Sequence, residues 1–155
     1  MKRKATYRSP GPPLSNEWGT PAYILNALGP FDSDPCDGKT WHKQPFIGLV
    51  WLNPPYGRQL QVWLQELANH NHGIALVFAR TDTAWFHELV FQRAKALLFL
   101  RGRVAFEPLA GQPKSGSPFA PSVLVAYGDE AMKRLKTSAL AGVFLELVPK
   151  EETVA

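Results

Sequence analysis

The stretch that most constrains the fold is Phe46–Leu52 (FIGLVWL), a nearly continuous apolar run that stops at Asn53-Pro54-Pro55. A strand whose side chains are apolar on both alternating rows must be covered on both faces. Two consecutive prolines cannot donate to a sheet ladder, so the strand ends there. The rest of the chain must therefore supply further strands beside it and helices above and below it.

The sequence has the material to do so. Thr20 suits a helix cap, Pro21 a first helical position and Gly29-Pro30 a stop, which predicts a short helix near 21–28. Phe31 to Asp34 suits a short strand. Leu60, Trp63, Leu64 and Leu67 fall at helical spacing over 59–69, and Gly73 leads into a second buried strand, Ile74–Ala79. Thr81 or Asp82 can cap a helix over 83–93, with Trp85, Phe86, Leu89 and Val90 turned inward. Ala96–Leu100 is a third strand, and Arg101-Gly102-Arg103 is a turn into Val104-Ala105-Phe106. The segment 107–120 (EPLAGQPKSGSPFA) has loop composition. Ser122–Tyr127 is a strand, Asp129 caps a helix to about Leu140, and Val143–Val148 closes the chain. Strands alternating with helices predict an α/β fold with a mostly parallel sheet and helices on both faces. The expected organisation is a flexible basic and Pro-rich arm over 1–15, one domain over 16–150 and a tail over 151–155.

Composition narrows the function. No apolar run approaches the roughly 20 residues that span a bilayer, and prolines follow the basic start where a signal peptide would be apolar. The one cysteine, Cys36, excludes an internal disulfide and a Cys-cluster metal site. His42, His70, His72 and His87 lack metal-ligand spacing, so no metal is expected. A reduced, cytoplasmic protein is the reading that results. The formal charge is +4, and the first eight residues alone carry four of the basic groups (Lys2, Arg3, Lys4, Arg8). The remainder is neutral in sum but uneven. Residues 9–37 hold four acids and no base, whereas 38–115 hold nine bases against four acids. Such a split suits an anionic partner beside a pocket for a cationic or hydroxyl-rich group.

The chemistry concentrates in Asn53-Pro54-Pro55-Tyr56, at the carboxyl end of the predicted central strand, where open α/β sheets bind ligands. The Asn53 side-chain oxygen and the Pro54 carbonyl can both accept hydrogen bonds from one planar NH2 group. Acceptors held out of plane draw the nitrogen lone pair out of conjugation and make it a better nucleophile. The prolines preorganise those acceptors, and Tyr56 offers a ring for a planar substrate to stack on. A proline-rich turn with Tyr56 as a packing residue is the plainer alternative.

Five spaced blocks carry a resemblance to a known family: Glu17-Trp18-Gly19-Thr20-Pro21 through Phe31-Asp32-Ser33-Asp34-Pro35-Cys36; Asn53-Pro54-Pro55-Tyr56-Gly57; Ala79-Arg80-Thr81-Asp82-Thr83-Ala84-Trp85-Phe86-His87; Arg101-Gly102-Arg103-Val104-Ala105-Phe106; and Pro121-Ser122-Val123-Leu124-Val125. Together they resemble the phage-type DNA N-6-adenine-methyltransferase (Dam-like) family, which uses S-adenosylmethionine. The resemblance implies a Rossmann-like methyltransferase fold, here without a separate target-recognition domain. It implies methyl transfer to the N6 amino group of adenine in double-stranded DNA, with the target base flipped out, in a bacterial host, phage or restriction-modification setting. By the same resemblance Asn53, Pro54, Pro55 and Tyr56 hold the base. Trp18, Thr20, Pro21, Asp32, Asp34, Pro35 and Asn53 line the cofactor, with Asp34 favoured over Asp32 as the carboxylate near its ribose or ammonium group.

A Gly-x-Gly-x-x-Gly or Phe-x-Gly-x-Gly cofactor loop is absent, and Asp34-Pro35-Cys36-Asp37-Gly38 matches such a loop only in part. DNA contact falls to Arg58, Arg80, Arg101 and Arg103, with Lys114 in the 107–120 loop as part of a target-reading element. Arg103 has a second reading, as the structural partner of a core carboxylate. The basic arm would add salt-sensitive attraction. The alternatives are the same chemistry on RNA or on a protein glutamine amide, or a DNA-binding relative that has lost turnover. Trp63, Trp85, Phe86 and Phe91 read as core, and Cys36 as a packing residue.

Overall fold

The computed structural model describes residues 19–36, 45–106 and 120–148. The predicted arm and tail, Trp18, Lys114 and nearly all of the 107–120 loop lie outside the described residues. Five strands form one sheet: β1 (Val50–Leu52), β2 (Gly73–Phe78), β3 (Ala96–Leu100), β4 (Ser122–Tyr127) and β5 (Gly142–Glu146), in the order β1-β2-β4-β3-β5. Three α-helices accompany them: α1 (Ala22–Leu28), α2 (Leu60–His70) and α3 (Asp129–Thr137). The segment Phe31–Asp34 is reduced to a single parallel bridge, Ser33 against Val50, outside β1.

The α/β class holds, but the mostly parallel sheet does not. β1 pairs with β2 in parallel, whereas β4 is antiparallel to both β2 and β3, and β5 is antiparallel to β3. The reason lies in which connections are helical. The helical crossovers do join strands of one direction, β1 to β2, β2 to β3 and β4 to β5. Only the first pair are neighbours. The turn-rich chain after β3 returns without a helix in the described part and lays β4 between β2 and β3, running the opposite way.

Alternation assigns each strand's side chains to two cores, so helices do cover both faces. Leu52, Ala75, Val77, Leu97, Val123 and Val125 pack with Leu60, Leu64 and Leu67 of α2 and with Phe86, Leu89 and Val90. Trp51, Ile74, Leu76, Leu98, Leu124 and Ala126 pack with Ile24 and Leu28 of α1 and Ala131 and Leu135 of α3. Leu64, Leu76 and Leu124 are wholly buried, and truncating such a leucine to alanine typically costs about 2–5 kcal/mol.

Several boundaries differ from the sequence reading. The first strand starts at Val50 rather than Phe46, because Gly48 turns the chain at φ +60°, a conformation that favours glycine. A side chain at Gly48 would also collide with the Asp32 carboxylate. The predicted helix 83–93 is π-wound over Phe86–Phe91, with Gln92 N–H bonding His87 C=O at 3.1 Å. The wider turn buries Phe86, Leu89 and Val90 on the sheet, while Phe91 packs edge-on to Phe86 at 4.8 Å. Thr83, not Thr81 or Asp82, supplies the cap, accepting from Phe86 N–H at 3.4 Å. Arg134 of α3 closes the carboxyl end of α1, donating to Leu28 C=O at 3.0 Å and to Pro30 C=O at 2.6 Å. No described helix is long and apolar enough to cross a membrane.

Candidate active site

Strand direction decides what meets at the site. β1, β2 and β3 share a direction, so Asn53, Phe78 and Arg101 follow or end their strands on one side of the sheet. The bridge at Ser33 runs parallel to β1 and brings Asp34, Pro35 and Cys36 to that side. β4 is antiparallel and contributes its first residue, Ser122, which pairs with Phe78. The blocks recognised along the sequence thus converge on one edge of the molecule.

Asn53 is 6% exposed, one of two polar residues in the described core. It follows Trp51 by two positions and therefore points to the α1 and α3 face. There its Nδ2 donates to Thr20 Oγ1 at 3.2 Å, and Trp51 Nε1 donates to the same oxygen at 3.1 Å. Thr20 was expected to cap α1. Pro21 holds the cap position instead, with no side-chain capping bond, and the Thr20 hydroxyl serves Trp51 and Asn53. Pro54 and Pro55 are buried and fix the backbone after Asn53. Gly57, at φ +118°, then turns the chain toward α2.

Tyr56 stacks on Phe78, with ring centroids 4.0 Å apart and planes 7° from parallel. Phe106 meets both rings edge-on at 6.5 Å, and the Arg80 guanidinium lies 5.9 Å from the Phe78 centroid. Such aromatic pairs add about 0.5–1.5 kcal/mol beyond their burial. Two buried side-chain oxygens lack a hydrogen-bond partner among the described residues, Tyr56 Oη and Ser122 Oγ, and both belong to this corner. Burial pushes the Tyr56 phenol well above its ordinary value of 10, so it is a neutral hydroxyl at physiological pH.

The two candidate carboxylates differ in use. Asp32 Oδ2 accepts from Leu49 N–H at 2.7 Å and so braces the entry to β1. Asp34 lies just past the bridge and is exposed. Pro21 and Pro35 are buried. Arg58, Arg80, Arg101 and Arg103 are exposed at this edge, Arg58 in the turn before α2 and Arg101 after β3. No group of three or more His, Cys, Asp or Glu among the described residues could hold a metal ion. His87 Nε2 lies 2.8 Å from Thr81 C=O, within its own turn, and His70 Nε2 lies 2.7 Å from Gly48 C=O, joining the end of α2 to the chain before β1.

Sequence reasoning missed Phe78, Phe106 and Ser122 as site residues. Phe106 and Ser122 lay inside blocks already singled out, but only strand order shows that Ser122 faces Phe78. For Phe78 the signal was its place at the end of a buried strand, two residues past the level of Asn53.

Fold and site together define an α/β protein with a preorganised amide, an aromatic stack and a basic rim at the carboxyl edge of parallel strands. The chain belongs to the DNA N-6-adenine-methyltransferase (Dam) family, whose profile matches residues 31–141. No curated protein and no solved structure matches it.

Proposed function

We propose that the protein transfers a methyl group from S-adenosylmethionine to the N6 amino group of adenine in DNA. The observation that carries this reading is the buried, tethered Asn53 at the head of Asn53-Pro54-Pro55-Tyr56, in a chain of this family. The reacting nitrogen is inaccessible within a stacked duplex, so the base leaves the helix. It stacks on the face of Tyr56 turned away from Phe78. Asn53 Oδ1 and the Pro54 carbonyl accept its two N–H bonds and turn the nitrogen lone pair out of the ring plane. When bound, S-adenosylmethionine supplies an electrophilic methyl carbon on a sulfonium. The adenine amino nitrogen, activated by the Asn53 and Pro54 acceptors, would take up that methyl group and give up one proton to solvent, with the sulfonium leaving as a neutral thioether.

The residues present suit the cofactor. The Thr20-Pro21 segment is tied to Asn53 by a hydrogen bond, which sets it beside the reacting group. Asp34, exposed and acidic at the same edge, suits the ribose hydroxyls or the ammonium. Arg58, Arg80, Arg101 and Arg103 meet phosphates.

The test is transfer of labelled methyl from S-adenosylmethionine to duplex DNA, with N6-methyladenine identified after digestion. Asn53→Ala removes one of two preorganised acceptors and should lower kcat by about 10²–10³, with cofactor binding retained in calorimetry. A folded protein that binds the cofactor yet methylates no adenine in any DNA would refute the reading.

A further inference from the structure

Thr20 does more in this structure than border a pocket. Its Oγ1 accepts from two donors, Trp51 Nε1 at 3.1 Å and Asn53 Nδ2 at 3.2 Å. An indole nitrogen can only donate, so the first bond fixes the hydroxyl as an acceptor on that side. Trp51 is itself 1% exposed and locked in the core against Ile24, Leu49 and Ile74. The oxygen of Thr20 is thereby anchored to a fully buried core side chain. The Asn53 amide is planar, with its nitrogen and oxygen at opposite corners. Engaging the nitrogen at Thr20 turns the oxygen away from Thr20.

We propose that Thr20 is a positioning residue for Asn53. The relay Trp51–Thr20–Asn53 fixes where the Asn53 amide is held and the angle at which it is presented to the substrate. Without the Thr20 oxygen the amide loses its tether to the buried Trp51 and is no longer held at the same angle to the substrate amino group. The hydroxyl thus acts on turnover through Asn53 and not mainly through cofactor affinity. This inference rests on the methyltransferase reading above.

The two ideas fail differently, and one set of assays separates them. The proteins are wild type, Thr20→Val, Thr20→Ser, Asn53→Ala and the Thr20→Val/Asn53→Ala double variant, each checked for folding by circular dichroism and thermal melting. Thr20→Val keeps the branched shape but removes the acceptor. At saturating S-adenosylmethionine its kcat should fall 10- to 100-fold, while the cofactor Kd by calorimetry changes less than threefold. Thr20→Ser, which restores the oxygen, should return kcat to within about threefold of wild type. In the Asn53→Ala background, Thr20→Val should cost no more than twofold further, because the residue it positions is already gone.

A Thr20→Val variant with wild-type kcat overturns the proposal. So does one whose loss is confined to a raised cofactor Kd, which makes Thr20 a cofactor contact, or one whose loss multiplies in full with that of Asn53→Ala. A wild-type protein that binds the cofactor but methylates no DNA refutes the methyltransferase reading itself, and the positioning role falls with it.

Discussion

At the scale of single residues, the site is marked by where polar atoms are satisfied and where they are not. Asn53 is buried and tethered, whereas Ser122 Oγ and Tyr56 Oη are buried without partners among the described residues. Buried hydroxyls nearly always find a partner, and an unpaired one costs about 1–3 kcal/mol. Ser122 is 1% exposed and pairs across the strands with Phe78. Replacing it by alanine removes the unpaired hydroxyl and one atom's volume. Urea unfolding should therefore show Ser122→Ala to be as stable as wild type or more so, by on the order of 1 kcal/mol. If the hydroxyl is held in reserve for a bound ligand, the same variant turns over DNA more slowly, the exchange of stability for activity common at functional sites. A variant destabilised by 2 kcal/mol or more would instead mean that the hydroxyl has a partner in the folded protein. The sequence could single out Asn53 as a candidate because the four consecutive residues Asn53-Pro54-Pro55-Tyr56 follow a buried strand. It could not show Thr20 as the partner of Asn53. A threonine before a proline at the start of a helix looks like a cap, and only folding brings positions 20 and 53 within hydrogen-bond reach.

At the scale of elements, β4 is the strand on which the sheet depends, since it pairs with β2 on one side and β3 on the other. Its last residue, Tyr127, is fully buried and donates its hydroxyl to Leu89 C=O at 2.6 Å, tying the strand to the π-wound turn. Burial drives the Tyr127 phenol well above its ordinary value of 10, opposed by the nearby Arg93 charge, and burial does the same to Tyr56. The sign of the linkage follows directly. Below pH 10 both folded and unfolded chains keep these protons, so stability is unaffected. Above it the unfolded chain loses them and the folded chain does not, so the unfolded state gains. Stability should fall from about pH 10 upward, by as much as ~1.4 kcal/mol per pH unit for each phenol. Tyr127→Phe should cost about 1–2 kcal/mol at pH 8 through the lost hydrogen bond, and should then decline less steeply than wild type between pH 10 and 11. Chemical unfolding at pH 8, 10 and 11 checks both parts. Helix and strand identities were legible for most of the described chain, because apolar periodicity is a local property. The π-winding over Phe86–Phe91 was not, since an α-turn and a π-turn place Phe86, Leu89 and Val90 inward with almost the same spacing.

At the scale of the whole molecule, the sequence carried the right ingredients and an incomplete rule for assembling them. Alternating helices and strands predicted a mostly parallel sheet, whereas only β1 and β2 pair in parallel and β4 lies antiparallel between β2 and β3. That insertion matters for charge. The basic excess over 38–115 looks continuous along the chain, yet strand direction divides its described part between two ends. Arg58, Arg80, Arg101 and Arg103 lie at the edge that holds Asn53. Lys95 precedes β3 at the opposite end, ion-paired with Asp129 at 3.5 Å, and Arg93 donates there to Asn69 at 3.0 Å. If the four arginines at the site edge each neutralise a phosphate, the logarithm of DNA affinity should fall with the logarithm of salt at about −0.9 per contact. Four contacts then weaken binding on the order of a hundredfold between 50 and 200 mM salt. Alanine at Arg58 or Arg101 should shallow that slope by about 0.9 each, with the loss of affinity similar for every DNA sequence. Alanine at Lys95, at the opposite end of the sheet, should leave the slope unchanged under the same reading. Fluorescence anisotropy over a salt series measures all three. Equal slopes for Arg101→Ala and Lys95→Ala would place the DNA elsewhere on the surface.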